Sequence, residues 1–91
     1  MFVVVTSNYF FRRARKFFRK HPELKERFAI VVDDLRKDPF HPHLEFHSLG
    51  GKLKGIQAVS LTDSYRITLT LMVTEREIIL LDIGSHDEVY R

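Results

Sequence analysis

Three apolar runs in the C-terminal half restrict what this chain can fold into. They cover about Ile56–Leu61, Tyr65–Val73 and Glu77–Ile83 and are rich in β-branched and aromatic residues. Three residues separate each run from the next, which is too short for a crossover helix, so the sequence predicts an antiparallel meander. Ile78–Leu81 is continuously apolar, which is typical of a central strand covered on both faces, and Gly84 is expected to end that strand.

The N-terminal half has the pattern of one strand followed by two amphipathic helices. Residues 2–5 form a short apolar run typical of a buried strand. Ser7 or Asn8 suits the N-cap of a helix that extends to about residue 20, where His21-Pro22 interrupts it. A second helix ends near residue 37. Apolar residues recur at three- and four-residue spacings in both helices, namely Phe10, Phe11, Ala14, Phe17 and Phe18, then Leu24, Phe28, Val31, Val32 and Leu35.

The predicted element order is β-α-α-β-β-β, which indicates an α+β fold. Two successive amphipathic helices predict a helical hairpin, packed here on one face of an antiparallel sheet. Residues 38–55 contain prolines and paired glycines and are expected to form loops. The length fits a single domain over residues 1–91.

The composition excludes several classes of protein. No cysteine is present, which excludes disulfides, cysteine-ligated zinc and cysteine nucleophiles. The apolar run Met1–Val5 lacks a basic flank and is too short for export or for a membrane span. We therefore expect a cytoplasmic protein without membrane association. A domain of this length buries a small core, so a partner that covers apolar surface would stabilise it.

Charge is distributed unevenly along the chain. Residues 1–54 carry 12 basic against six acidic residues, a net charge of +6, whereas residues 55–91 carry three against six, a net charge of −3. A polyanion or an acidic partner would dock on the basic half. A solvated helix face explains the same pattern equally well. The helix cations that we consider for RNA binding are Arg12, Arg15 and Arg19.

Histidines in the central loop raise the question of a metal site. His41, His43 and His47 lie within seven residues, without cysteine and without a helical i, i+4 pair. Zinc sites generally have tighter spacing and a second pair of ligands. We expect surface histidines there, and neither a metal nor a cofactor.

Five other residues are suited to the chemistry of RNA cleavage. Phosphodiester cleavage requires groups that remove and return a proton, and cations that stabilise the charged phosphorane. Histidine performs either proton transfer near neutral pH. In an extended segment, alternation with Leu53 would place two of the cations on one side. The five residues are Lys52, Lys54, Arg66, His86 and Tyr90.

Each of these residues also has an ordinary structural interpretation. Lys52 and Lys54 suit a solvated loop, and Tyr90 suits packing on the sheet. Arg66 has Asp63 and Asp82 as candidate ion-pair partners. Residue types alone therefore leave a nuclease as one option among several.

Four segments in order resemble the C-terminal half of the RelE/ParE superfamily of toxins from toxin–antitoxin systems. His47–Gly55 resembles a family segment with the pattern H-x-L-x-G-x-L-K-G, and Ser64–Ile67 resembles the YRI signature that follows a preceding strand. Ile78–Gly84 resembles the last hydrophobic strand and its glycine. Ser85–Tyr90 resembles the G-x-H-x-x-V-Y ending. The order of the N-terminal elements also agrees, so the resemblance implies a RelE-like fold over the whole chain.

The resemblance implies a partner and a set of roles. It implies a cognate antitoxin and, for the RelE branch, metal-independent cleavage of messenger RNA on the ribosome. Arg66 matches an arginine that contacts the scissile phosphate, and Tyr90 matches a tyrosine proposed as base or orienter. Lys52 and Lys54 lie in the segment that supplies basic residues in RelE. His47 and His86 match catalytic histidines of the YafQ branch.

The chain departs from both branches of the family. Asp87 and Glu88 stand where RelE has arginines, and Ser60 and Ser64 lie near two acid–base positions of YafQ. We therefore expect a ribosome-associated endoribonuclease toxin with His86 as general acid or base, and we keep two alternatives. One is a ParE-like toxin that inhibits DNA gyrase by binding. The other is a decayed toxin that only binds its antitoxin.

Overall fold

The secondary structure follows the predicted order, with one short strand and one short helix added. It is described by a computed structural model that covers residues 1–90. The helices and strands are β1 (Val3–Val5), α1 (Asn8–Lys20), α2 (Lys25–Lys37), β2 (His47–Ser48), β3 (Gln57–Ser60), β4 (Tyr65–Met72), β5 (Glu77–Ser85) and α3 (His86–Val89). Single 3-10 turns cover Pro22–Leu24, Pro42–Leu44 and Gly51–Leu53. Within residues 1–90, no helix has the length and apolar character needed to cross a membrane.

The five strands form one sheet in the order β1-β5-β4-β3-β2. Antiparallel pairing joins β2 to β3, β3 to β4 and β4 to β5, which confirms the predicted meander and the α+β class. At the opposite edge β1 pairs with β5 in parallel, so the sheet is mixed rather than wholly antiparallel. The chain between β1 and β5 contains both long helices. A connection of that length allows either parallel or antiparallel pairing of the two strands.

The two long helices form the predicted hairpin because a cap and a proline set their ends and their apolar faces are buried together. The Ser7 hydroxyl accepts a hydrogen bond from the backbone N–H of Phe10 at 3.1 Å, which caps α1. His21 ends α1 and Pro22 begins the next turn, as expected from the sequence. The buried side chains of the hairpin are Phe10, Ala14 and Phe17 of α1, and Val31 and Leu35 of α2.

The helices cover one face of the sheet, and the core lies between them. Ile67, Leu69, Ile78, Leu80 and Ile83 of the two long strands belong to the same buried cluster as the helix residues. The side chains between them alternate in burial, since Ile79 and Leu81 are half-buried. β5 is a central strand, as predicted, but its face away from the helices is only partly covered, and the strand continues past its predicted end at Gly84 to Ser85.

A β-bulge interrupts the ladder between β4 and β5. Thr68 pairs with Asp82 and Leu69 pairs with Leu80, which leaves Leu81 as the extra residue. The Asp82 carboxylate accepts a hydrogen bond from its neighbouring backbone N–H and one from the Arg13 side chain, each at 2.8 Å. The bulge therefore supplies an anchor for α1.

The segment 38–55 contains more regular structure than the loop predicted for it. Leu44 in the second 3-10 turn is fully buried and fixes this segment to the core. His47 and Ser48 then pair with Ala58 and Gln57 as the edge strand β2. The prolines and glycines around this two-residue strand are typical of loops, so the sequence pattern did not predict the strand.

Gly84 is required where α3 folds back on the sheet. A Cβ atom at this position would lie 2.9 Å from Glu88 Oε1 and 3.2 Å from Glu88 Cβ. Glu88 holds the N-terminus of α3 through a capping box with Ser85, so it is not free to move away.

We expect Gly84→Ala to destabilise the protein by about 1–3 kcal/mol, as overpacking of a tight site generally does. Gly50→Ala is the matched control, because a Cβ at Gly50 meets nothing within 4 Å. Urea denaturation of both variants measures the difference. Equal stability of the two variants would contradict the described packing of α3.

Candidate functional site

The pairing of the strands places a set of mostly polar residues on the face of the sheet opposite the helices. Val59, Ile67 and Ile83 are paired across the strands and belong to the helix-covered core. Neighbouring side chains on a strand point to opposite faces. The other face, which we call the outer face, therefore carries His47, Ala58, Ser60, Arg66, Thr68 and Gly84.

His47 is oriented by its own loop. Its Nδ1 lies 2.8 Å from the backbone oxygen of Glu45, and a carbonyl oxygen only accepts, so Nδ1 carries the proton and donates. In neutral His47 the Nε2 atom then holds the free lone pair. That Nε2 lies 3.4 Å from the phenol oxygen of Tyr90, an exposed contact at the long end of hydrogen bonding. His47 is thus prepared to accept or return a proton at Nε2.

Tyr90 and His86 reach the same place through α3. The capping box of Ser85 and Glu88 starts this short helix, and Tyr90 follows its last residue. The rings of His86 and Tyr90 meet edge to face with centroids 4.2 Å apart. The His86 side chain is 69% exposed, and its Nδ1 lies 3.6 Å from an oxygen of Asp87. The structure therefore brings three predicted site residues together, with Tyr90 between the two histidines.

Arg66 lies on the outer face but is partly occupied by the β3–β4 turn. Its Nη1 donates to the backbone oxygens of Thr62, Tyr65 and Asp63 at 2.8, 3.2 and 3.3 Å. Neither candidate ion pair of Arg66 forms among the described residues. Asp82 is bound by Arg13, and Arg66 contacts the backbone oxygen of Asp63 rather than its carboxylate. Nη1 thus fixes the turn, and the rest of the guanidinium is suited to a phosphate oxygen.

Glu45 belongs to the outer-face site, and sequence reasoning missed it. Its Oε1 accepts a hydrogen bond from the Ser60 hydroxyl at 2.7 Å. The backbone of Glu45 has a φ of 54°, a left-handed conformation that costs a non-glycine residue about 1–3 kcal/mol. Ser60 lies fifteen positions after Glu45 in the sequence. No local pattern signals the contact, which depends on the pairing of β2 with β3.

The predicted RNA-binding lysines are exposed but do not form the expected pair. Lys52 lies within the 3-10 turn Gly51–Leu53, and Lys54 follows it. Gly51 has a φ of 61°, and Leu53 and Lys54 donate backbone hydrogen bonds to Gly50 and Gly51. The expectation of two cations on one side of an extended segment was wrong, because alternation applies only to extended backbone.

The helix arginines lie apart from the outer-face residues. Arg12, Arg15 and Arg19 are exposed on α1, which packs on the other face of the sheet. The sheet therefore separates these three arginines from His47 and Arg66. A macromolecule that contacts both sets has to extend around the domain.

The three histidines of the central loop, His41, His43 and His47, do not come together at one point. His43 Nε2 lies 2.8 Å from Asp34 Oδ2, and its Nδ1 contacts Nδ1 of His41. His47 is turned towards Tyr90 instead. Within residues 1–90, no cluster of three or more histidine, aspartate or glutamate side chains is arranged to hold a metal ion.

Comparison with known proteins identifies the fold. No protein-family model and no curated protein sequence matches the chain. A copper-bound mutant toxin from Helicobacter pylori superposes with a TM-score of 0.78 at 26% identity, covering 98% of this chain and 99% of that one. YafQ from E. coli strain BL21(DE3) superposes with a TM-score of 0.81 at 13% identity, covering all of both chains. This chain has the RelE/YafQ-type toxin fold. The resemblance seen in the sequence is thereby confirmed.

A third toxin of this fold is the YoeB/ParE toxin from Agrobacterium tumefaciens, with a TM-score of 0.77 at 13% identity over 92% of this chain and 98% of that one. At 13% identity, the likeness of this chain to the A. tumefaciens toxin and to YafQ concerns the fold alone. YafQ also occurs in a DinJ–YafQ toxin–antitoxin complex. These structural neighbours are thus toxins of toxin–antitoxin pairs.

Tyr90 and His86 lie at the short helix that Glu88 caps, and the contacts of Glu88 favour its ionised form. The backbone N–H of Ser85 donates to Glu88 at 2.9 Å and lowers the pKa of that carboxyl below its ordinary 4.5, with help from the Ser85 side chain, Arg13 and Lys20. A depressed folded-state pKa stabilises the fold above the unfolded-state pKa. That stabilisation is lost as the pH falls through the folded-state value.

We expect Glu88→Gln to lower the melting temperature near neutral pH, because glutamine keeps an acceptor for Ser85 but loses the charge. The difference from the unmodified protein should shrink as the pH falls from about 7 to about 3. Thermal denaturation of both proteins across this range measures it. A difference that stays constant with pH would show that the Glu88 charge does not hold α3.

Proposed function

We propose that this protein is the toxin of a toxin–antitoxin pair and cleaves messenger RNA on the ribosome without a metal. The observation that carries the proposal is the meeting of His47, Tyr90 and His86 on the face that also carries Arg66. Two imidazoles that contact one phenol can supply the proton transfers of phosphodiester cleavage, and a guanidinium on the same face can stabilise the charge on the phosphate. The fold shared with toxins supports the same proposal. Its site of action is the cytoplasm.

Each residue has a distinct role in this proposal. His86 is the general acid, suited by its exposure to reach a leaving oxygen, and His47 is a second acid–base group with Nε2 as its reacting atom. Tyr90 orients both imidazoles. Arg66 stabilises the negative charge that develops on the phosphorane.

The cations outside the site bind the nucleic acid backbone in this proposal. Lys52 and Lys54 contact phosphates of the messenger, since both are exposed in the segment that follows β2. Arg12, Arg15 and Arg19 lie on the helix layer and contact a second stretch of RNA. Phosphate contacts of this kind position the protein without reading the base sequence.

The cleavage proposal is tested with a defined messenger in a translating extract. We expect His86→Ala to slow cleavage by about 10²–10⁴-fold, as loss of a general acid does. Loss of Arg66 should reduce the rate by an electrostatic effect of similar order. His41→Ala is the control, because His41 is exposed and contacts His43 rather than the site.

Three outcomes of that experiment, carried out beside a gyrase supercoiling assay, distinguish the alternatives. Cleavage by the His86→Ala protein at the original rate would remove His86 from the mechanism. An intact messenger together with inhibited gyrase supercoiling would favour a ParE-like toxin. An intact messenger and active gyrase would favour a decayed toxin that only binds its antitoxin.

We infer that the antitoxin covers an apolar groove between the two long helices. The groove has a volume of about 380 Å³, and its walls include Phe11, Phe18, Phe28 and Val32, with Arg15 among its polar lining. Phe11 is 58% exposed, which is unusual for a phenylalanine on a helix. An amphipathic segment with acidic residues complements both the apolar walls and the basic face of α1.

The partner proposal is tested by production with and without the protein of the adjacent reading frame. We expect growth arrest when this chain is produced alone and recovery when both are produced. Phe11→Glu should weaken the complex, whereas Phe40→Glu should not, although Phe40 is 59% exposed. Harmless production of this chain alone would contradict a toxin. Equal effects of the two substitutions would contradict the groove.

A further inference from the structure

We propose that Glu45 is a catalytic residue of the outer-face site, the carboxylate that takes the proton from the attacking 2′-hydroxyl of RNA. This inference rests on the proposed ribonuclease function. It assigns the base of the reaction to a residue that lies outside the four segments that carry the resemblance.

The chain holds Glu45 in place from both sides. Leu44 before it is fully buried, and Phe46 after it packs against the core. The backbone N–H of Glu45 donates to the oxygen of Pro42 at 3.1 Å, and its backbone oxygen accepts from His47 Nδ1 at 2.8 Å. With its neighbours anchored in the core, Glu45 takes a left-handed conformation and remains exposed.

The same residue therefore serves the site twice. Its carbonyl oxygen fixes which nitrogen of His47 is free, and its carboxylate accepts from the Ser60 hydroxyl at 2.7 Å. Ser60 is the direct partner of Arg66 in the β3–β4 ladder. Adjacent strands lie about 4.8 Å apart, so the carboxylate is held one strand from the residue proposed to bind the phosphate.

The chemical step balances with groups on the outer face. The 2′-oxygen bonds to phosphorus and passes its proton to the Glu45 carboxylate while the bond from phosphorus to the 5′-oxygen breaks. The leaving 5′-oxygen takes a proton from the His86 imidazolium. The products are a 2′,3′-cyclic phosphate and a 5′-hydroxyl, and proton exchange with water restores both side chains.

A purely structural role for Glu45 predicts different behaviour. In that case the bond to Ser60 would only tie the loop to β3. Ser60→Ala removes this bond but keeps the carboxylate, whereas Glu45→Gln keeps an acceptor for Ser60 but cannot take a proton. The structural role predicts that Ser60→Ala is the more harmful change. The catalytic role predicts the reverse.

The test measures cleavage of a defined messenger in a translating extract, with the full chain and with variants of matched stability. We expect Glu45→Gln to slow cleavage by about 10²–10⁴-fold and to change the acidic side of the pH–rate profile, and Glu45→Asp to recover part of the rate. The control is Glu75→Gln, an exposed glutamate in the β4–β5 turn. Ser60→Ala should slow cleavage less than Glu45→Gln does.

If the other variants lose stability, Glu45→Gly still tests the catalytic role of Glu45. Glycine adopts the left-handed conformation without strain, so this variant should melt at the same or a higher temperature and yet cleave as slowly as Glu45→Gln. If the unmodified protein cleaves and Glu45→Gln cleaves at the same rate, the inference is wrong and the ribonuclease function stands. If the unmodified protein does not cleave at all, the function and the inference both fail.

Discussion

The antiparallel ladder between β4 and β5 is the constraint on which the rest of the structure depends. It joins residues 65–72 to residues 77–85 across a four-residue turn, and its inner face supplies much of the core. The same ladder sets the site, because Arg66 faces Gly84, and the chain enters α3 directly after Ser85. A one-residue slip of this ladder would move every side chain to the other face, taking Arg66 into the core.

The outer-face site is assembled from three chain segments that differ in how firmly they are held. Arg66 lies on a long strand in the middle of the sheet. His47 lies on a two-residue edge strand whose preceding turn is fixed by the buried Leu44. His86 and Tyr90 lie at the C-terminal turn, which depends on one capping box and on a glycine beneath it. Local opening generally begins at short elements with few buried contacts, so β2 and α3, which have two and four residues, are expected to open before the long strand that carries Arg66.

Charge and apolar surface are divided between the two faces of the domain. The helix layer exposes arginines and the apolar groove that contains Phe11, whereas the outer face carries the groups suited to proton transfer. A partner on the helix layer would therefore leave the outer face accessible unless it also extended around the edge of the sheet. In the proposed function, this arrangement separates the surface that binds the antitoxin from the surface that cleaves RNA. It also explains why the net charge of residues 1–54 is uninformative about the position of the site.

The sequence by itself determined the element order, the helical hairpin, the meander and the resemblance to toxins, because these depend on local periodicity, on caps such as Ser7 and on turn lengths. It also singled out Arg66, His86, Tyr90 and His47 as candidates. Only the tertiary structure decided that β1 joins β5 in parallel, that Lys52 lies in a 3-10 turn and that Glu45 contacts Ser60. Those features depend on contacts between distant residues, and the alternation of side chains along one segment carries no information about which segment lies beside it.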